Sequence, residues 1–255
     1  MYRHHRRKIS SPEEGYIPPF AITDNVYFVG THQSSSHMID TGDGLILIDT
    51  GYKNTAEMVL ASVRALGFDP ANIKYIIHTH HHDDHMAATL AIVRETGAKT
   101  VISKLDHPIA LAQHGIDSDL TVEDGDTLSL GNTEIRFVLT PGHTVGTLSL
   151  FFDTTYLGKT YRAGTFGGAG VNTMVPEHCD FYPTCREDFA NSLVRLERER
   201  VDVFIGNHVW NNDTEEKGKR LLAGGKNEFI DKGEWKKFLI ARRDVLLSLA
   251  PLDTL

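Results

Sequence analysis

Histidine is the residue type that stands out in this sequence, because it is both abundant and concentrated. Fourteen of the 255 residues are histidines. Five of them fall within one window of eight positions, namely His78, His80, His81, His82 and His85. No packing requirement calls for so many imidazoles in one short segment, whereas coordination of a metal ion does. The window is therefore the first candidate for chemistry.

The window fits an H-x-H-x-D-H pattern in a single register, which selects His80, His82, Asp84 and His85. Alternate residues that leave a strand point the same way, so His80 and His82 can bind one ion. Asp84 and His85 lie about one turn further on, at the start of a helix, where they are placed to bind a neighbouring ion. We expect His81, which lies between His80 and His82, to face outward.

The elements around the window predict how it is positioned. Short β-rich runs at 26–29, 37–40 and 45–49 indicate an antiparallel meander, and a buried strand over 74–77 leads straight into the histidines. Helical composition follows over 86–95. A strand-rich half with helices, repeated once, fits two stacked mixed sheets with helices outside, which is a four-layer αββα sandwich of the α/β class. We expect one domain over 21–255 after an N-terminal tail over 1–20.

Composition restricts the partners of this chain. It carries 26 Lys plus Arg against 34 Asp plus Glu, a formal net charge of −8, which opposes the positive field of a nucleic-acid binder. No apolar run approaches the ~20 residues that a membrane helix needs. We therefore expect neither nucleic acid nor a membrane as a partner. As written, the chain suggests the cytoplasm, or the periplasm or secretion if a signal has been trimmed; the sequence leaves the oligomeric state open.

Three motifs together resemble the metallo-β-lactamase superfamily. They are the Thr79-to-His85 run, Leu47-Ile48-Asp49-Thr50-Gly51 upstream of it, and Pro141-Gly142-His143-Thr144 downstream. The resemblance extends over about 25–208, which is most of the chain. It implies the αββα fold and a hydrolytic centre with two zinc ions.

The resemblance also implies a role for each ligand. His80, His82 and His143 would bind the first zinc, whose open tetrahedral position would hold a reactive hydroxide. The second zinc would be bound by Asp84, His85 and His208. Asp49 is expected to hold the free N–H of a ligand histidine, with a turn role at a strand end as the alternative.

The subclass is indicated by a missing carboxylate. Many hydrolases of the superfamily place a metal-bridging aspartate in a T-G-D step, where this chain has Ala163-Gly164-Thr165. Five histidines, one aspartate and a hydroxyl in the bridge position are similar to the third subclass of metallo-β-lactamases. Two divalent ions and one carboxylate leave a charge of about +3, which suits an anionic substrate that releases an anion. A β-lactam meets both conditions.

The expected reaction is therefore the opening of a β-lactam amide by a metal-bound hydroxide. Asp84 is the candidate catalytic residue, because it can orient the hydroxide and move its proton. Thr165 and Ser35 are candidate contacts for the substrate. The Gly167 to Gly170 stretch is either a substrate-side loop or a bulged turn.

Four other functions fit parts of the sequence. A dizinc hydrolase of another ester, lactone or thioester would use the same centre. An iron dioxygenase on the same fold needs one metal only, and the complete second ligand set argues against it. A nuclease is opposed by the negative charge. A non-catalytic metal-binding protein remains an alternative, because spacing predicts coordination and not turnover.

Overall fold

The computed structural model describes residues 15–179 and 181–249. Most of the tail predicted over 1–20 lies outside the described residues. Within the described part of that range, Ile17 and Phe20 are buried, and Tyr16 forms a bridge with Thr31. The packed chain therefore includes at least Tyr16 to Phe20.

The first sheet has seven strands that lie side by side in chain order. They are β1 (Phe20–Ala21), β2 (Val26–Phe28), β3 (His37–Asp40), β4 (Leu45–Ile48), β5 (Ile73–Ile77), β6 (Lys99–Ser103) and β7 (Leu120–Val122). Strands β1 to β4 pair antiparallel, as the meander prediction required, whereas β4 to β7 pair parallel. The parallel pairs need crossovers, which contain the helices α1 (Ala56–Ala65), α2 (Asp83–Met86), α3 (Thr89–Thr96) and α4 (His107–His114).

The second sheet has five strands in the order β12-β11-β10-β9-β8. They are β8 (Thr127–Leu130), β9 (Thr133–Leu139), β10 (Leu148–Tyr156), β11 (Lys159–Thr165) and β12 (Val203–Phe204). The first four form an antiparallel meander, and β12 joins β11 in parallel. The helices of this half are α5 (Pro176–Cys179), α6 (Cys185–Leu196), α7 (Thr214–Leu222) and α8 (Glu234–Leu247).

Three apolar clusters hold the layers together. The central one joins the facing sides of the two sheets, for example Ile46 of β4 with Phe137 of β9. A second packs β4 and β5 on α1 and α3, and a third packs β10 on α6 and α8. The order helix, sheet, sheet, helix confirms the predicted αββα sandwich.

One helix prediction is wrong in detail. The helix expected over 86–95 is two helices, α2 and α3, separated at Ala87 and Ala88. Asp84 and His85 therefore lie in the short α2, and α3 begins four residues after His85. No helix within the described residues has the length and apolar character needed to cross a membrane.

Candidate metal centre

The candidate site lies where several strands end. The histidine window begins directly after β5, and Asp49 directly follows the neighbouring parallel strand β4. His143 lies in the connection from β9 to β10, and His208 follows β12. Because the strands in each sheet are fixed by pairing and burial, their ends present these side chains at defined positions.

One group of donors comprises His80, His82 and His143, whose ligand atoms all lie within 4.8 Å of one another. The Nδ1 of His82 lies 3.0 Å from the Nε2 of His143. Two nitrogens on one tetrahedral ion, at metal–nitrogen distances of about 2.1 Å, would lie about 3.4 Å apart. The side chains are therefore already spaced as ligands of a single cation.

A second group surrounds Asp84. Its Oδ2 lies 3.4 Å from the Nε2 of His85 and 3.5 Å from the Nε2 of His208. These are also the separations expected for two donors on one ion. The rings of His80 and His85 have centroids 4.2 Å apart, so the two groups adjoin each other. The arrangement suits two neighbouring metal ions.

The second ring nitrogen of most of these histidines is already occupied. The Nδ1 of His85 lies 2.8 Å from the Oδ2 of Asp49, and the Nδ1 of His143 lies 2.8 Å from the carbonyl oxygen of Gly170. The Nδ1 of His208 approaches the carbonyl oxygen of Gln33 at 3.2 Å. Each contact fixes the ring and favours the tautomer in which Nε2 is a free acceptor, as a metal ligand must be.

The fit of a metal is supported by buried nitrogens that nothing else satisfies. The Nε2 atoms of His80 and His85 are buried and have no hydrogen-bond partner. A buried polar atom without a partner is costly, and such atoms cluster where an ion or ligand belongs. The residues present therefore fit the two cations that the donor groups outline.

Asp49 belongs to neither donor group, but its hydrogen bonds help to position both. Its carboxylate is buried and also accepts hydrogen bonds from the backbone N–H and the hydroxyl of Thr79, at 2.8 and 2.7 Å. The hydroxyl of Thr79 in turn lies 3.1 Å from the Nδ1 of His80. Asp49 has a φ of 57°, an uncommon value for a residue other than glycine, which turns the chain sharply after β4. One carboxylate thus orients a histidine of each donor group.

Electrostatics keeps most of the donors in the form that binds metal. Burial, and then the neighbouring imidazoles, hold the pKa of His80 and of His143 well below the usual range. Burial lowers the pKa of His82 and of His208 to about 4. Burial also acts to lower the pKa of His85, but the carboxylates of Asp84 and Asp49 outweigh this effect and raise that pKa to about 10. At neutral pH the first group is therefore neutral, as a cation requires.

Four of the six donors, His82, Asp84, His143 and His208, line a cleft of about 210 Å³. Its other walls are His32, Gln33, Tyr52, Gly170, Asn172 and Trp210. The ring of Trp210 stacks on His208 with centroids 4.3 Å apart. A groove of about 860 Å³ lies nearby, between the start of α1 and the helices α2 to α4, but none of the six donors lines it. The smaller cleft is therefore the candidate active site.

Two predicted substrate contacts are not part of the cleft walls. Thr165 and Ser35 are both buried, and neither lines the cleft; their roles stay predictions. The glycine stretch does reach the site. Gly170 lines the cleft, and a Cβ on Gly168 would lie 2.8 Å from the Cβ of His143. The glycines therefore allow the chain to pass against a metal ligand.

The prediction that His81 faces outward is wrong. It is only 9% exposed, and its backbone N–H donates to the buried carboxylate of Asp106. Sequence analysis also missed Trp210, although a tryptophan two residues after His208 is a recognisable signal for a stacking partner at the site. Asp106 carries no comparable signal.

Comparison with known proteins agrees with this geometry. The sequence matches the metallo-β-lactamase superfamily over residues 29–208. The chain therefore belongs to the metallo-β-lactamase superfamily.

Solved structures similar to this chain include several β-lactamases. FEZ-1, a metallo-β-lactamase from Legionella gormanii, is 30% identical with a TM-score of 0.85, over 92% of this chain and 95% of that one. BJP-1, a subclass B3 metallo-β-lactamase of Bradyrhizobium japonicum, is 27% identical with a TM-score of 0.84, over 91% and 92%.

Similar curated proteins bear a different name. A hydroxyacylglutathione hydrolase of Chelativorans sp. is 27% identical over 188 residues, which are 74% of this chain. A second one, from Rhodospirillum rubrum, is 38% identical over 97 residues, or 38% of this chain. The matches span 66% and 35% of the lengths of these two relatives.

Proposed function

We propose that the protein is a dizinc hydrolase that opens the amide of a β-lactam ring. The observation that carries this proposal is the composition of the donor set, which has five imidazoles and one carboxylate, that of Asp84. With zinc in both positions the bare centre would carry about +3, one unit more than a centre with a bridging aspartate. Such a centre attracts the carboxylate of a β-lactam and stabilises the ring nitrogen released as an anion.

The comparisons support the same choice. The β-lactamase structures match this chain over more than 90% of both lengths. The hydroxyacylglutathione hydrolases have substantial length that this chain does not match. Likeness over nearly the whole of both chains favours the β-lactamase reaction as the first candidate.

Bound zinc ions would supply an activated water and a positive charge beside the substrate carbonyl. The protein's own residues do the rest. The side chain of Asp84 is about one-fifth exposed, so it can accept a proton from the attacking water and donate it to the leaving nitrogen. Burial acts to raise the pKa of this carboxyl, but His85 outweighs it and keeps the pKa well below its usual range, so Asp84 is ionised at neutral pH. Trp210 and Asn172 line the cleft and can orient the substrate.

A thioester hydrolase is the second candidate, and the names of the curated relatives favour it. It would use the same two zinc ions and the same Asp84. The two candidates differ in the leaving group, which is an anionic nitrogen in one case and a thiolate in the other. Substrate assays therefore separate them.

The test uses zinc-loaded protein with a penicillin, a cephalosporin, a carbapenem, a homoserine lactone and a glutathione thioester. We expect loss of the β-lactam absorbance in at least one of the first three. His208→Ala should lower the rate roughly 100-fold or more. A matched control is His107→Ala, which removes an imidazole paired with Asp117 outside the cleft and should leave the rate unchanged. Turnover of the thioester alone would establish the second candidate instead.

A further inference from the structure

Asp106 is a fully buried carboxylate that touches no substrate-facing surface and belongs to neither donor group. Its Oδ2 accepts hydrogen bonds from the backbone N–H of His81 at 3.2 Å and from the hydroxyl of Thr144 at 2.7 Å. Its Oδ1 accepts from the backbone N–H of Gly146 at 2.8 Å. A single side chain thus holds two loops that are more than sixty positions apart in the chain.

These two loops carry one donor group in full. His81 lies between the ligands His80 and His82, and Thr144 directly follows the ligand His143. No other chain segment contributes to this group. The separation of the two loops therefore sets the 3.0 Å distance between the Nδ1 of His82 and the Nε2 of His143.

The hydrogen bonds of the Asp106 carboxylate are made to the two ligand-bearing loops and not to its own helix. Asp106 precedes α4 in the N-cap position, where an aspartate commonly accepts from the first turn of its own helix. Here the side chain makes no such capping bond, and both oxygens are used by the two ligand loops. A Cβ on Gly146 would lie 2.5 Å from the Oδ1 of Asp106, so the loop is pressed directly against the carboxylate.

Charge matters as well as shape. The Nδ1 of His81 lies 3.1 Å from the Oδ2 of Asp106, without the alignment of a hydrogen bond. Each carboxylate oxygen faces only donors. An asparagine would turn its NH₂ group toward at least one N–H or O–H, leaving two donors opposed in a buried place.

We propose that Asp106 is a positioning residue for the first metal site, holding His80, His82 and His143 at the spacing that one cation requires. This inference rests on the dimetal centre of the proposed function. The second site, formed by Asp84, His85 and His208, is held by Asp49 and Gln33, and the hydrogen bonds of Asp106 go to His81, Thr144 and Gly146 only. Loss of the Asp106 carboxylate should therefore weaken one site and spare the other.

The experiment measures zinc affinity against a chelating indicator in two single-site backgrounds. His208→Ala retains the first donor group in full, and His143→Ala retains all three donors of the second, Asp84, His85 and His208. Addition of Asp106→Asn is expected to weaken zinc binding 10- to 100-fold in the His208→Ala background. It should change affinity less than threefold in the His143→Ala background. Equal losses in both backgrounds, or no loss in the first, would overturn the proposal.

A control separates this effect from general destabilisation. Asp202 is also buried and accepts from a backbone N–H, that of Arg162, at 3.0 Å, but it lies at the start of β12 away from the donors. Asp202→Asn should leave zinc affinity unchanged in both backgrounds. If Asp106→Asn does not fold, Thr144→Val removes a single bond to the carboxylate, and Thr144→Ser retains it. Valine should weaken the first site and serine should not, and equal affinities would contradict the proposal.

Failure of the proposed function would look different. If the wild-type protein binds two zinc ions but cleaves no β-lactam, the affinity differences still decide the role of Asp106. If the wild-type protein binds no zinc, both the dimetal centre and the positioning role are wrong. Substrate assays and binding measurements thus give separate answers.

Discussion

The Nδ1 of His85 and the Oδ2 of Asp49 lie 2.8 Å apart in a place that water does not reach. The proton between them stays on the Nδ1 of His85, so that Nε2, 3.4 Å from the Oδ2 of Asp84, is the atom that can bind a cation when it gives up its own proton. Asp49 thereby determines whether His85 can be a ligand at all, although it touches no metal position itself.

Asp49→Asn is expected to weaken the second metal site. The amide oxygen of asparagine can accept from only some of the groups that now donate to Asp49. The NH₂ group of asparagine would favour the other tautomer of His85. That tautomer carries a proton on the atom that faces the cation. We expect a 10- to 100-fold loss of affinity for the second zinc, measured by chelator competition. Unchanged affinity would show that Asp49 has a turn role only.

The number of bound metal ions tests the two donor groups directly. The wild-type chain should bind two zinc ions per molecule, measured by elemental analysis after dialysis. His208→Ala should retain one tightly bound ion, because His80, His82 and His143 remain. His80→Ala should lose the tight ion of the first group. A His208→Ala protein that still holds two ions as tightly as wild type would remove His208 from the second group.

A buried histidine that belongs to neither donor group predicts how stability depends on pH. His37 lies on β3, its Nε2 has no partner, and burial lowers its pKa to about 4. The unfolded chain, with a pKa near 6.5, therefore binds a proton before the folded chain does as the pH falls. For each pH unit from 6.5 down to 4, protonation of this residue in the unfolded chain should lower the free energy of unfolding by about 1.4 kcal/mol.

His37→Leu should remove that part of the pH dependence. Urea unfolding of the metal-free protein at pH 7 and at pH 5 gives the two free energies. We expect the difference between them to be smaller in the variant by about 2 kcal/mol. His107→Leu, at a partly exposed site, serves as the control and should keep the wild-type dependence. An unchanged difference in His37→Leu would mean that His37 is not buried in neutral form.

Local patterns in the sequence were sufficient for the fold class and for four of the donor residues, His80, His82, Asp84 and His85. Strand alternation was the reason to expect His80 and His82 on one side, but β5 ends at Ile77 and both residues lie in the loop that follows. Asp84 and His85 lie in α2, as predicted. His143 and His208 were predicted from the resemblance to the metallo-β-lactamase superfamily, and in the structure they follow β9 and β12. The αββα layering followed from the order of strands and helices, and the structure confirms it.

The supports of the donors could not be predicted in this way. His208 is held by the carbonyl oxygen of Gln33, which is 175 positions away, and any residue type offers such an oxygen. Asp106 reaches Thr144 and Gly146 across 38 and 40 positions. In sequence it looks like an ordinary aspartate before a helix. The outward prediction for His81 failed for the same reason, since its partner is distant in the chain.

Position 165 provides a test of the argument that this centre has a threonine in place of a metal-bridging aspartate. It is only 2% exposed at the end of β11, so an aspartate there would be a buried charge. An unpaired buried carboxylate costs several kcal/mol, unless cations lie beside it. If position 165 faces the metals, Thr165→Asp should strongly destabilise the metal-free protein, and zinc should restore its melting temperature.

Thr165→Asn is the matched control, because asparagine has nearly the same shape as aspartate without its charge. Zinc should raise the melting temperature of Thr165→Asp by much more than that of Thr165→Asn. The added carboxylate should also lower the charge of the centre by one unit, and with it the rate on β-lactams relative to a neutral ester. Equal zinc effects in the two variants would place position 165 away from the cations, and the argument from a missing bridge would then lose its structural basis.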